Sequence, residues 1–404
     1  METNRTISVL QVTIGDGNFG GVASFLYTYY LNMNHEKVHF DFLYCGENSL
    51  SSISKDPIFE LSTFTTLHVL KKNNNGVSEY IKLLKDLDGF FKKNKYDIVH
   101  VNSGNAFLNI CVAYKLHRRS VYIAHSHNAK STIKYGSRIK KLGKEIIRLI
   151  LRNYILKKAD ALYACSDEAG ISLFGDKGIK QDKYKVIRNA INTNQYRYNP
   201  ETRKKVLREE GKVIIGFVGR LSIEKNPLFA LDVFYAALKR NQDVRLWMIG
   251  EGELQQEVEQ RINKLGIQDK VVLFGRRSDI ADLMQAMDVL LFPSIYEGFG
   301  IVAIEAQCAG LNVLASDQVP KATNVTGLVT YLSITESATV WADRLIEIVT
   351  NCKTRERQDY SIVVKNAHYD IVEEARQLED NYSVLYNSFK KQQHLQKRRN
   401  HDNK

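Results

Sequence analysis

Two glutamates, Glu297 and Glu305, stand eight residues apart in IYEGFGIVAIEAQ, with Gly298 and Gly300 just after the first. The preceding VLLFPS reads as a buried strand whose pairing stops near Pro293, which puts Glu297 in the loop at a strand's carboxyl end. Glycines there let the backbone bend tightly and approach a ligand. FGIVAIEAQCAG then reads as a short helix starting near Phe299. A helix start offers free N–H groups and a positive dipole end, which suits a phosphate. Glu305 would sit about one and a half turns in, at ~3.6 residues per turn, where its carboxylate can accept from vicinal hydroxyls such as those of a ribose. Glu297 can do the same for a sugar. The pattern could therefore hold two polyols with a pyrophosphate between them. It could equally be two unrelated surface carboxylates.

Other residues bear on that choice. VGRLSIEKNP puts Arg220 and Lys225 at the carboxyl end of another strand, where two cations could neutralise a pyrophosphate, Arg as a fork and Lys as a point charge. MIGEGEL adds a further strand–glycine turn. VYIAHSHNAK ends a strand with His125 and His127, whose i, i+2 spacing on extended chain points both rings to one face. They could hydrogen-bond a substrate or pack as ordinary histidines; no third ligand cluster accompanies them, so no metal site is expected. GDGNFGGVASF holds a literal GxGxxG at Gly15, Gly17 and Gly20, with Asp41 about twenty residues on, the fingerprint of a dinucleotide site. Asp41, however, falls inside the strand pattern VHFDFLYC rather than at its end. A bend at Gly20 and Gly21 that brings backbone amides near a ligand is the competing reading. The DLD at Asp86 and Asp88 lies in an amphipathic helix and reads as a solvated face.

The elements that must position these groups follow from the pattern. Strands are expected at 6–14, 38–45, 66–70, 97–102, 121–126, 161–166 and 184–189, then at 212–220, 244–250, 270–275, 289–294 and 312–316, with helical segments between. Such alternation means βαβ units and parallel sheets. The polar stretch 189–205 with Pro200 divides them. The expected architecture is two α/β Rossmann-like, doubly wound domains facing across a cleft: 1–190, a linker at 191–205, and 206–365, with a C-terminal helix and basic tail over 366–404 that could pack back on the first domain. Ligands of such sheets bind at the carboxyl ends of the strands.

Composition bounds the class. The 404 residues are 44% hydrophobic and 25% charged, ordinary for a globular chain. No apolar run reaches the ~18 residues of a membrane span. The start METNRTISVLQV lacks the charged and apolar regions of a signal peptide. Five cysteines without CxxC spacing argue for buried thiols in a reducing, cytoplasmic setting. The net charge of +12 speaks to anionic partners. The densest basic region, 130–158, interleaves Lys130, Lys134, Arg138, Lys140, Lys141, Lys144, Arg148, Arg152, Lys157 and Lys158 with aliphatic residues at roughly helical spacing. It could lie on an anionic membrane surface or pack on a core with a solvated basic face. No nucleic-acid motif accompanies the charge.

Taken in order, GGVASF, AHSHN, ADALYACSDEAG, VIRNAIN, GFVGRLSIEKNP, MIGEGEL, FGRRSDIADLMQAMDVLLFPSIYEGFGIVAIEAQCAG and LASD resemble the family 4 retaining glycosyltransferases of the GT-B fold, from about Thr6 to the region of Ser333. LASDQVPKATNVTGLVTYLSI further resembles members from bacterial capsule and exopolysaccharide clusters. The resemblance implies that Arg220 and Lys225 bind the donor diphosphate, that Glu297 contacts the donor sugar near the amides of Gly298, Phe299 and Gly300, and that Glu305 holds the ribose. His125 matches the histidine beside the transferring sugar, with His127 close enough to be the alternative. Gly20 and Gly21 match the loop near the phosphates and acceptor. VIRNAIN departs from the family's VIPNGID at Arg188 and Ala190. The implied reaction is transfer of a hexose or N-acetylhexosamine from a nucleotide sugar, UDP by family analogy, with retention of configuration and neither metal nor other cofactor. A lipid-linked or polysaccharide acceptor is implied, for an enzyme peripheral on the inner face of the plasma membrane. The alternatives are a nicotinamide-dependent oxidoreductase using Gly15, Gly17 and Gly20, and a non-catalytic partner subunit of the same fold.

Overall fold

The computed structural model describes residues 5–14, 21–46, 65–71, 77–116, 119–127, 138–207, 211–353 and 357–402. Contacts divide the chain into two units, Met1–Asn189 with Ile371–Lys404, and Ala190–Asp370.

The first unit runs β1 (Ile7–Ile14), α1 (Gly21–Leu31), β2 (Val38–Gly46), β3 (Leu67–Lys71), α2 (Val77–Lys93), β4 (Ile98–Asn102), α3 (Ala106–Leu116), β5 (Val121–Ser126), α4 (Arg138–Lys158), β6 (Ala161–Ala164), α5 (Asp167–Ile179) and β7 (Tyr184–Val186). Its strands order as β3-β2-β1-β4-β5-β6-β7 and pair in parallel throughout. Order reverses between β1 and β4, where Val9 lies opposite Ile98. Every residue of β4, β5 and β6 is buried. That is why these strands are mostly apolar on both faces, since helices cover a doubly wound sheet on both sides, with His100, Asn102, His125 and Ser126 as buried polar exceptions.

The second unit opens with two short helices, α6 (Thr193–Tyr196) and α7 (Pro200–Val206). This stretch, expected as a linker, is folded into its unit. Arg203 of α7 donates to the carbonyls of Gln285, Ala286 and Met287 and pairs with Asp288. Those carbonyls end a helix and have no partner within it, so a cation there satisfies both their lone pairs and the dipole. The unit continues β8 (Val213–Val218), α8 (Pro227–Leu238), β9 (Val244–Ile249), α9 (Gln255–Leu265), β10 (Val271–Gly275), α10 (Ile280–Ala286), β11 (Val289–Phe292), α11 (Ile301–Cys308), β12 (Asn312–Ser316), β13 (Val329–Leu332), α12 (Ala338–Lys353) and α13 (Ser361–Val364). Its parallel sheet orders as β10-β9-β8-β11-β12-β13. One core, around Phe217, Phe234, Leu246 and Trp341, covers one sheet face, and another, around Trp247, Met284, Met287 and Val313, covers the other. The strand β13 was absent from the expected set because GLVTYL is short and only half buried.

The last helix, α14 (Ile371–Asp402), belongs to the first unit. Its Tyr382 is fully buried, and its Glu379 accepts from the Asn34 amide just beyond α1. The chain thus leaves the first unit after Asn189 and rejoins it at Ile371. Both crossing points are anchored within the second unit: Ile191 pairs with Asp370, and the Thr193 hydroxyl donates to the Asp370 carboxylate. Cys45, Cys111, Cys165 and Cys308 are all buried free thiols, as their apolar contexts predict.

Candidate functional site

In the second unit the site-bearing loops leave the carboxyl ends of β8 and β11, the neighbours at which strand order reverses. Residues 219–226 follow β8. Gly250 and Gly252 of the MIGEGEL turn brace them: a Cβ at Gly250 would lie 2.0 Å from the Gly219 carbonyl oxygen, and one at Gly252 would lie 2.3 Å from that of Leu221. Backbone bonds Leu221 N–H to Glu251 O and Leu254 N–H to Leu221 O complete the brace. The glycine turn therefore supports the cationic loop; its glycines answer to backbone contact.

The two loops are tied to each other. Ile295 N–H donates to Glu224 O at 2.8 Å, and the Lys225 ammonium pairs with the Glu297 carboxylate, both largely withdrawn from water. Lys225 also lies 5.2 Å from the Phe292 ring centroid. Arg220 pairs instead with Glu253 at 3.2 Å, with both side chains nearly half exposed. Such a surface pair is worth little and leaves the guanidinium available.

Gly300 caps α11 with φ 89°, and a Cβ there would meet Glu297, Phe292 and Val319 at 3.2–3.3 Å. Gly298 has open space around it and the chain bends there without a positive φ, so the left-handed turn falls on Gly300. Phe299 is 6% exposed and stacks on Tyr369 at 5.6 Å, which places its side chain in a small core under the loop. Glu305 lies in the middle of α11, and the Tyr196 hydroxyl of α6 donates to it. Desolvation raises the Glu305 carboxyl to about 7 against that bond. The same burial pushes Cys308 up to about 12, so its thiol stays protonated. Tyr196 was not anticipated; it stands in the segment taken for a linker.

In the first unit His125 is the penultimate residue of β5 and His127 follows the strand, with ring centroids 4.0 Å apart on one side of it as their spacing predicts. Phe25 of α1 packs edge-on against both, at 5.3 and 4.9 Å. His125 is fully buried. Its Nδ1 lies 3.1 Å from His100 Nε2, while its Nε2 has no partner among the described residues. His127 Nε2 bonds Asn102 Oδ1 at 3.1 Å. Burial holds His100 and His125 well below the usual imidazole range and His127 at about 3, so all three rings are neutral. Among the described residues no group of three or more His, Cys, Asp or Glu could hold a metal ion. Gly21 is the first residue of α1; Gly15, Gly17 and Gly20 lie outside the described residues.

Asp41 does not face a ribose site. It sits within β2, where it accepts from Thr66 N–H and Tyr96 Oη–H, which overturns its place in a dinucleotide fingerprint. Asp88 of the DLD pairs with Lys92 and Lys115 on α2 and α3. Of the basic segment, residues 130–137 and the side chains of 138–146, including Lys140, Lys141 and Lys144, lie outside the described residues. Arg152 does not join a solvated face; it donates to the carbonyls of Ser172 and Leu173. Among the described residues no helix is long and apolar enough to cross a membrane.

Residues 19–195 match the family model Glycosyltransferase Family 4, and residues 199–362 match Glycosyl transferases group 1. EpsF of Bacillus subtilis, described as a glycosyltransferase, is 28% identical over 338 residues, covering 81% of this chain and 84% of EpsF. An Escherichia coli UDP-Gal:α-D-GlcNAc-diphosphoundecaprenol α-1,3-galactosyltransferase is 25% identical over 254 residues, 59% of this chain and 63% of that one. Among solved structures, Anabaena HepE in complex with UDP superposes with a TM-score of 0.66 over 94% of this chain and all of that one, at 19% identity.

Proposed function

The chain belongs to glycosyltransferase family 4, with the GT-B fold, and from that premise we propose that it moves a hexose or N-acetylhexosamine from a UDP-sugar to a lipid-linked or polysaccharide acceptor, with retention of configuration. The Lys225–Glu297 pair carries this reading. It joins the β8 and β11 loops where strand order reverses, the place at which such sheets take ligands. The two charges satisfy one another. A donor would separate them, its diphosphate taking Lys225 and its sugar hydroxyls taking Glu297. Arg220, held only by a surface pair, turns to the same diphosphate. Glu305 receives the ribose hydroxyls, and His125 meets the sugar-bearing substrate. The E. coli relative named for a diphosphoundecaprenol acceptor, and the UDP bound by HepE, support the choice of substrate classes.

Chemically, the leaving diphosphate gathers charge as the glycosidic bond breaks. Lys225, Arg220 and the amides opening α11 are aimed at that charge, which is where fixed donors lower a barrier. The acceptor proton passes to a phosphate oxygen of the donor on the face that the leaving group vacates, giving retention without a protein nucleophile. Two protein cations supply the positive charge, so transfer proceeds in the presence of chelator.

Calorimetric titration with UDP in chelator, with a nicotinamide dinucleotide alongside, tests this. Saturable UDP binding that weakens in Glu305→Ala and Lys225→Ala is expected, followed by transfer whose product keeps the donor's anomeric configuration by NMR. Dinucleotide binding without UDP binding would overturn the reading.

A second element of the proposal concerns location. The described part of α4 exposes Ile147, Leu149 and Ile150 at 50%, 51% and 62%, beside Arg148, Lys157 and Lys158. Apolar residues standing in water next to basic ones suit an anionic membrane surface. Co-sedimentation with anionic vesicles should be lost when Lys140, Lys141, Lys144 and Arg148 become Glu; unchanged binding rules the surface out.

A further inference from the structure

His125 is the end of a buried chain of hydrogen bonds that starts from residues far away in sequence. Tyr382 of α14 places its hydroxyl 2.7 Å from His100 Nδ1, and His100 Nε2 lies 3.1 Å from His125 Nδ1. On the other side, Gln11 Nε2 donates to the Tyr382 hydroxyl at 3.1 Å, and Asn102 Nδ2 donates to Gln11 Oε1 at 2.7 Å. His127 Nε2 meets Asn102 Oδ1 at 3.1 Å. Gln11, His100, Asn102, His125 and Tyr382 are each at most 1% exposed.

With neutral rings, each bond has one donor and one acceptor, so fixing one fixes the rest. The Asn102 amide is the fixed end, because its Nδ2 also faces the His100 backbone carbonyl at 3.3 Å. From there the direction propagates. Gln11 must donate to Tyr382, the Tyr382 hydroxyl must then donate to His100 Nδ1, and His100 must carry its proton on Nε2 and donate it to His125 Nδ1. Reversing the chain would turn both amides over and set the Asn102 oxygen against the His100 carbonyl, two acceptors face to face.

We infer that Tyr382 and His100 are positioning residues that lock His125 as the Nε2–H tautomer, so that it presents a hydrogen-bond donor, never an acceptor, to an oxygen of the sugar-bearing substrate. The inference rests on the proposed role of His125. His125 Nε2 is the one end of the chain without a protein partner among the described residues, a buried N–H waiting for an oxygen. A locked donor can hold a hydroxyl or phosphate oxygen in place but cannot take a proton, which excludes His125 as a general base.

Long-range ¹H–¹⁵N NMR on the full chain with ¹⁵N-labelled histidine reads the tautomers directly, because protonated and bare ring nitrogens resonate far apart. Signals are assigned by single replacement of His100, His125 and His127. In the wild type, His100 and His125 should both carry the proton on Nε2. In Tyr382→Phe, which removes one oxygen and keeps the ring, both should become tautomer mixtures. Then kcat should fall about tenfold while KM for the donor stays within about twofold, a split that simple loosening of the fold would not give. A proton on His125 Nδ1 in the wild type, or unaltered tautomers in Tyr382→Phe, overturns the inference. If Tyr382→Phe does not fold, the wild-type spectrum decides by itself. The outcome separates from that of the proposed function: a locked donor in a protein that ignores UDP sinks the function alone, and UDP-dependent transfer with an Nδ1–H His125 sinks the lock alone.

Discussion

The two units solve the same problem with opposite chemistry. The second unit's site is charged and partly wet: Arg220–Glu253 and Lys225–Glu297 are ion pairs that join the loop after β8 to those after β9 and β11. The first unit's site is neutral and dry: His100, His125, Asn102, Gln11 and Tyr382 form one directional chain with no net charge. Charge at an exposed loop can attract and release a highly charged ligand. A buried neutral chain cannot attract anything at a distance, but it fixes orientation, because every member constrains the next. Capture belongs to the one and geometry to the other.

That contrast can be broken by measurement. The largest effect is expected in the charged unit: Lys225→Ala should lower kcat/KM for transfer by about 10²–10³-fold, the usual loss when a fixed donor to a developing anion is removed. Arg220→Ala, whose partner is half exposed, should cost less in the same assay. If the order is reversed, the ion pair is not the capture point.

Next comes pH. The Glu305 carboxyl is raised to about 7 by burial, and the ribose hydroxyls proposed to bind it would donate more strongly to its ionised form. Binding therefore favours the deprotonated state and expels a proton at lower pH. Affinity for a UDP-sugar, whose diphosphate does not titrate in this range, should be full above about pH 7 and fall by up to about tenfold per unit below it. Glu305→Gln should bind more weakly at pH 8 and lose that slope; a slope that persists in Glu305→Gln places the titration elsewhere.

A smaller effect sharpens the comparison. Raising salt from about 0.05 to about 0.5 M should weaken UDP binding several-fold through screening, while the histidine NMR signals stay where they are. The smallest is on stability. Gln11→Leu removes two buried bonds, to Tyr382 and from Asn102, and should cost about 1–3 kcal/mol in urea unfolding, with the native baseline unchanged.

Sequence disclosed the two units unequally, and for a physical reason. Arg220, Lys225, Glu297 and Glu305 lie on short loops and helices directly after strands, so local pattern places them at one end of the sheet; the pairing of Lys225 with Glu297 was not part of that pattern. The parallel sheets were legible because buried strands such as VLLFPS and VYIAHS are unbroken apolar runs. The first unit's chain was not legible. Its members come from β1, β4, β5 and α14, and the Gln11–Tyr382 bond spans 371 residues. Nothing about a glutamine inside one strand or a tyrosine on a distant helix announces that they meet. Tyr196 was missed for a related cause: a polar stretch with a proline read as a connector, whereas Asn192 and Asn199 cap two short helices in it. Gly298 shows a limit of the same kind: the chain bends there as expected, but a glycine's freedom is visible in sequence and its need for that freedom is not.

The place of α14 has a consequence for how this molecule is made. A ribosome delivers residues 1–189 long before Tyr382, yet the first unit is incomplete without it. Through most of synthesis His100 Nδ1 would lack its donor and the cores facing α14 would stand open. The second unit has all of its strands by Leu332 and can close ahead of it. His125 is therefore set only after the whole second unit has been made. A nascent chain can thus complete the fold of its second unit before the hydrogen-bond chain of its first unit has all its members.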